Sequence, residues 1–166
     1  MNQNQQIRLR NFQASDGVPM LQLFRDTVHR VNCRDYTPSQ IAAWAPIDNP
    51  SDPWCARFEG RIAFVAEIDA LPVGFVDMTP SGPLDRLFVS ADYQRKGIGR
   101  HLVEAVIESA NSLSLKSITT EASITAKPFF LSKGCAVVKE QTVACPRHSR
   151  YPRHVESVKW QRPLPV

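Results

Sequence analysis

The sequence predicts an α/β (α+β) domain: a central mixed sheet, mostly antiparallel but with one parallel pair of strands, flanked by helices. Three observations carry this. Two β-rich apolar runs, Ile62 to Ile68 and Val73 to Met78, are joined by Asp69-Ala70-Leu71-Pro72 and form a hairpin. Leu84 to Ala110 passes from a short β-compatible run through a polar loop into a helix, where Ile98, Leu102, Val103, Ala105, Val106 and Ala110 share one face. Ser117 to Ala122 is a further strand, and the helical crossover before it places it parallel to Leu84–Val89. At 166 residues the chain can bury one core and is too short for two domains of ordinary size, so residues 1–166 are expected to be a single domain.

The other elements follow in order. Ile7 to Phe12 alternates apolar and polar residues as a first strand. Ser15 or Asp16 offers an N-cap, and the stripe Leu21, Phe24, Val28 and Val31 makes 17–32 an amphipathic helix packed on the core. Thr37 caps a short helix with Pro38 at its first position, running through Ile41 and Trp44 and ending before Pro46. Pro46 to Pro53 is a proline-rich loop, and Trp54 to Phe58 leads back to the sheet as a short helical or extended piece. Gly74 marks a close approach or a bulge. Ala126 to Lys133 forms a second amphipathic helix with Gly134 as its C′ residue, and Ala136–Val143 and His154–Trp160 are the last strands.

Between the strand at 84–89 and its helix lies Gln94-Arg95-Lys96-Gly97-Ile98-Gly99-Arg100. Two glycines let the backbone turn tightly, so that amides at the start of the helix converge on an anion with the helix dipole behind them. Arg95, Lys96 and Arg100 set cations around the same turn, which suits a pyrophosphate. The loop is neither a Walker loop nor a Gly-x-Gly-x-x-Gly dinucleotide fingerprint. It resembles the acetyl-CoA-binding motif of the GNAT N-acetyltransferases, Gln/Arg-x-x-Gly-x-Gly/Ala, with Gln94, Gly97 and Gly99 at the defining positions. The order of elements resembles the GNAT fold throughout, which implies that the parallel pair is splayed.

The resemblance implies the chemistry: transfer of an acetyl group from acetyl-CoA to a primary amine of a small molecule or peptide, by direct attack in a ternary complex. Main-chain amides of Arg95, Lys96, Gly97, Ile98, Gly99 and Arg100 would hold the cofactor, and a backbone N–H around Phe88 to Val89 would stabilise the thioester oxygen. The helix-loop-helix carrying His29, Tyr36 and Trp44 would line the acceptor site; Tyr36 and Trp44 equally serve as packing for the loop. A carboxylate must take the proton of the attacking ammonium, and Asp85 is the first candidate, with Glu121 and Asp77 as rivals. Each equally fits a salt-bridge partner or a solvent-facing strand residue.

Many relatives place a tyrosine that protonates the departing thiolate within Asn-x-x-Ala-x-x-Leu-Tyr-x-x-x-Gly-Phe. Here Ala126 and Gly134 match, but Ser123 stands for the asparagine, Phe130 for the tyrosine and Cys135 for the last aromatic. A phenyl ring donates no proton. Either the thiolate leaves unassisted, with a pKa near 8.5, or Tyr93, Ser123 or a water substitutes. The alternative function is a CoA-binding sensor without turnover.

Composition removes several classes. Twenty Lys plus Arg against sixteen Asp plus Glu give +4, and the basic tail from Arg147 to Arg162 is short and broken by prolines, so nucleic acid is disfavoured as a partner. Cys33, Cys55, Cys135 and Cys145 form no Cys-x-x-Cys pair, and His29, His101, His148 and His154 show no metal-ligand spacing, so no metal is expected. Cys135 is read as core and His101 as a surface or cap residue. The N-terminus has no signal-like stretch and no apolar run approaches a bilayer span, so a cytoplasmic protein is expected, with no membrane partner and a homodimer left open.

Overall fold

The computed structural model describes residues 6–47, 52–144 and 154–164. Its strands are β1 (Arg8–Asn11), β2 (Ile62–Ile68), β3 (Leu71–Met78), β4 (Pro83–Val89), β5 (Ser117–Ser123), β6 (Ala136–Ala144) and β7 (His154–Pro163). They make one sheet in the order β1-β2-β3-β4-β5-β7-β6, in which only β4 and β5 pair in parallel. The helices are α1 (Gly17–Arg30), α2 (Pro38–Trp44), α3 (Asp52–Cys55), α4 (Ile98–Ser112) and α5 (Lys127–Ser132).

Strand alternation distributes the core over two faces. Val65 and Phe75 join Met20, Phe24 and Val28 of α1, with Trp54 and Phe58, in one buried cluster. Ala66, Val76 and Met78 join Ile98, Leu102 and Val106 of α4 in the other. Burying one such side chain contributes roughly 1.5–3 kcal/mol, so the apolar stripe rather than helix propensity decides where α4 sits. Gly74 meets both sequence expectations. The β2–β3 register shifts between Ala66 and Glu67, and a Cβ at Gly74 would stand 3.0 Å from both Ile98 Cγ2 and Phe88 O. Only glycine lets α4 begin this close to the sheet.

The predicted helix over 17–32 ends at Arg30, and Asn32–Arg34 forms a 3-10 turn. The turn points the buried Asn32 inward, where its Nδ2 donates to Ser123 Oγ at 3.3 Å. Thr37 caps α2 as expected: Gln40 N donates to its Oγ1 at 3.3 Å while Thr37 N donates to Gln40 Oε1 at 2.9 Å. At the start of α1 the buried Asp16 accepts from Arg10 Nη1 and Nη2 at 2.7 and 2.8 Å and from Gln13 N at 2.7 Å, while Arg10 Nε donates to Glu67. Burial pushes the Asp16 carboxyl up, but these hydrogen bonds and the Arg10 charge outweigh it and hold the group below the ordinary carboxylate range.

The last two strands occur as expected, and β7 lies between β5 and β6. Cys145, His148 and the tail from Arg147 to Arg153 lie outside the described residues. No helix is long and apolar enough to cross a membrane among the described residues.

Candidate functional site

β4 and β5 pair only at Pro83↔Thr119 and Leu84↔Thr120. At the same place the β3–β4 register shifts, from Asp77↔Arg86 to Met78↔Leu84, so that Asp85 is an extra residue in β4. Beyond this bulge β4 stays with β3 and β5 with β7, and a cleft opens between them. The bulge also inverts the alternation of β4. Leu84 and Leu87 both pack on the α4 side, whereas Phe88 packs on the α1 side.

Ladder parity decides which amides face the gap. Ser90 N donates to Val73 O at 2.8 Å, which makes Phe75↔Phe88 a hydrogen-bonded pair and Gly74↔Val89 a non-hydrogen-bonded one. The N–H of Val89 therefore points away from β3, into the gap, and the N–H of Phe88 is turned to β3 while its residue lines the cleft. Val89 O points the same way and accepts from Thr27 Oγ1 at 3.1 Å and from Gln94 Nε2 at 2.6 Å. Gln94 thus braces the loop against the end of β4.

The loop enters α4 with Gly97 as N-cap at φ 84° and Arg95 at φ 62°, both left-handed. The amides of Ile98, Gly99 and Arg100 then have no acceptor within the helix and carry its positive dipole end. These groups, with exposed Arg95 and Arg100 beside them, fit a phosphate-type anion. A Cβ at Gly99 would stand 3.3 Å from the Phe129 ring, so glycine lets α5 close against the loop. His101 Nδ1 lies 3.0 Å from Gly97 O and caps the turn. Arg30 donates to Asp92 Oδ2 and Oδ1 at 3.1 and 2.5 Å, pinning the turn before the loop to α1 and holding the Asp92 carboxyl below its ordinary range.

The cleft encloses about 1250 Å³, more than one small-molecule site needs and room for two ligands side by side. Asp85, Glu121, Trp44, Phe88, Val89, Gln94, Arg95, Gly97, Ile98, Gly99, Arg100, Ser123 and Phe130 all line it. Lys96 lies outside the lining, its Nζ 4.6 Å from the Tyr93 ring centroid. His29 and Tyr36 stand behind the wall. His29 Nε2 sits 2.8 Å from Ala45 O, and Tyr36 OH accepts from Ile124 N at 2.7 Å, bridging the α1–α2 segment to the far side of the cleft.

The three carboxylates differ in setting. Asp77 is fully buried between Arg61 and Arg86 and does not line the cleft. Asp85 is exposed at the bulge, 3.2 Å from Arg61 Nη2. Glu121 is exposed on β5, on the opposite wall. Cys135 is half-buried and packs against Ala122 and Phe130, at the margin of the core rather than inside it. Among the described residues no group of His, Cys, Asp or Glu side chains could hold a metal ion.

Sequence reasoning missed three residues. Trp54 Nε1, Arg86 Nη1 and Thr125 Oγ1 are buried side-chain atoms without a hydrogen-bond partner among the described residues, and all three residues line this one cleft. Their only sequence signal was Arg86, a charge at an alternating position in an apolar strand.

The model of the GNAT acetyltransferase domain matches residues 32–145. The chain is 37% identical over 139 residues, 84% of its length and 87% of the relative's, to YafP, an uncharacterised N-acetyltransferase of Escherichia coli K12. Two solved structures share the fold. A GCN5-related N-acetyltransferase from Rhodopseudomonas palustris superposes with a TM-score of 0.88 at 24% identity, over 95% of each chain. The PaiA N-acetyltransferase of Thermoplasma acidophilum, in complex with coenzyme A, does so with 0.73 at 14% identity, over 95% of this chain and 99% of that one. With the parted strands and the glycine loop, these matches show that the chain belongs to the GNAT family of N-acetyltransferases.

Proposed function

We propose that the chain, as a single domain, transfers the acetyl group of acetyl-CoA to a primary amine of a small molecule or peptide, by direct attack in a ternary complex. One observation carries the reading: β4 parts from β5 beside the amide-rich start of α4. The amides from Arg95 to Arg100 hold the pyrophosphate, and the inward N–H of Val89 donates to the thioester oxygen as charge develops on it. The amine nitrogen bonds to the carbonyl carbon as the carbon–sulfur bond breaks. Its proton goes to Asp85 or Glu121, directly or through water, and CoA leaves as the thiolate. With Phe130 in place of the tyrosine, no side chain is assigned to protonate the sulfur.

The test is CoA thiol release from acetyl-CoA with a panel of primary amines. Amine-dependent release supports transfer. Phe130 favours a second reading, a sensor that binds CoA without turnover. Thermal stabilisation by CoA with no release from any amine would establish that reading instead.

A further inference from the structure

Val89 ends β4 where no neighbouring strand covers it, since β5 pairs with β4 only at Pro83 and Leu84. As the non-hydrogen-bonded partner of Gly74, it turns both its N–H and its carbonyl oxygen into the gap. The two groups act in opposite senses. An oxygen gaining negative charge beside them is drawn to the N–H and repelled by the carbonyl, and in a cleft shielded from water both effects are weakly screened. The carbonyl is occupied. Gln94 Nε2 donates to it at 2.6 Å and Thr27 Oγ1 at 3.1 Å.

Thr27 is 5% exposed and sits inside α1, where a threonine hydroxyl commonly turns back to the carbonyl of the preceding turn. Here it reaches a strand 62 positions away. The carbonyl already has a donor in Gln94, so satisfying that acceptor does not by itself require a second. The helix is held against β4 on either side of the contact. Phe24 packs edge-on against Phe88, ring centroids 4.9 Å apart, and Arg30 donates to Asp92 beyond the end of the strand. Phe24, Thr27 and Arg30 thus follow the chain from Phe88 to Asp92 at a spacing that keeps neighbours together on a helix surface.

We propose that Thr27 is a positioning residue for acetyl transfer: its hydroxyl, with Gln94, engages Val89 O and draws off its negative charge, so that the N–H of Val89 is the group the thioester oxygen meets. The proposal rests on the acetyltransferase reading. Thr27 acts through Val89 and exchanges no proton with either ligand. Its effect grows with the charge on the thioester oxygen, which is greatest in the transition state, so it belongs to kcat and not to the binding of acetyl-CoA.

The test is Thr27→Val, which removes the hydroxyl and keeps the branched shape. With a primary amine that supports CoA release, kcat should fall about tenfold to 100-fold, while KM for acetyl-CoA and the thermal shift given by CoA stay at the parent values. Thr27→Ser keeps the hydroxyl and should retain most of the parent kcat. If Thr27→Val does not fold, Thr27→Ala set against Thr27→Ser makes the same comparison at a single oxygen. A second readout needs no turnover. The infrared carbonyl band of bound acetyl-CoA, isotopically labelled at that carbon, should lie below that of the free thioester in the parent and move back towards it in Thr27→Val. A parent kcat or an unmoved band in Thr27→Val would overturn the proposal, as would equal losses in the Val and Ser variants or a loss of CoA binding that matches the loss of rate. Lack of release with every amine, beside a band shift that Thr27→Val reverses, would remove the transfer reading and uphold the role of Thr27 at Val89. Neither release nor a band shift in the parent would remove both.

Discussion

Asp77 and Arg86 meet across the β3–β4 ladder as a two-point ion pair, Nε to Oδ1 at 2.7 Å and Nη2 to Oδ2 at 2.8 Å, with Asp77 wholly buried. Arg61 holds the same carboxylate from the other side. Asp77→Asn would leave two guanidinium groups sharing one fewer anion, and breaking a buried pair in this way costs about 3–5 kcal/mol. Urea unfolding should show a loss of that size at unchanged slope. A loss under about 1 kcal/mol would mean that Asp85 suffices as the counter-charge.

Gly97 combines a left-handed backbone with the N-cap of α4. Gly97→Val should destabilise the fold by about 1–3 kcal/mol, as a β-branched residue forced to positive φ does, and should abolish the thermal shift produced by CoA. A variant with the full shift would move the cofactor away from this loop.

For the proton acceptor, Asp85→Asn should lower the rate near neutral pH and steepen its rise with pH, because the amine would then lose its proton to bulk water. CoA affinity should barely change. An unaltered pH–rate profile transfers the role to Glu121, and Glu121→Gln should then show the steepened profile.

Phe130 is 4% exposed and lines the cleft. Phe130→Tyr adds one oxygen at nearly constant volume, so the variant should fold, bind CoA normally and turn over at the parent rate or a few-fold faster. A large loss of rate with CoA binding intact would make Phe130 a contact for the acceptor.

Acid should unfold the protein partly through Asp16. Its carboxyl titrates lower in the folded state than the ordinary value of about 3.9, so its contribution is complete above that pH and disappears as pH falls through the folded value. Arg10→Gln removes the guanidinium that holds it there. The acid midpoint measured by circular dichroism should move to higher pH, and an unmoved midpoint would place acid sensitivity elsewhere.

The strands, α1, α2, α4 and the glycine loop were legible because each is written in residues close along the chain: alternation, a helical stripe, Thr37-Pro38, Gly97 and Gly99. What could not be read is what joins distant segments. Tyr36 to Ile124 and Asn32 to Ser123 span about ninety positions each and leave no local pattern. The bulge at Asp85 was hinted at by Leu84 and Leu87, which break alternation, yet a single extra residue is not separable from ordinary scatter in a short strand. Trp54 and Thr125 had no signature at all, since an unmet donor is a property of what surrounds it.

The position of β7 between β5 and β6 also bears on how the protein is made. β5 has one two-residue attachment to β4, and its long antiparallel neighbour is synthesised after the other strands of this sheet. Until residues 154–163 arrive, the nascent chain carries a complete glycine loop but an unpaired edge where the opposite wall should stand. A chain stalled or clipped before His154 would therefore present a sticky strand rather than a weakened enzyme, and aggregation would be the first sign of the loss of β7.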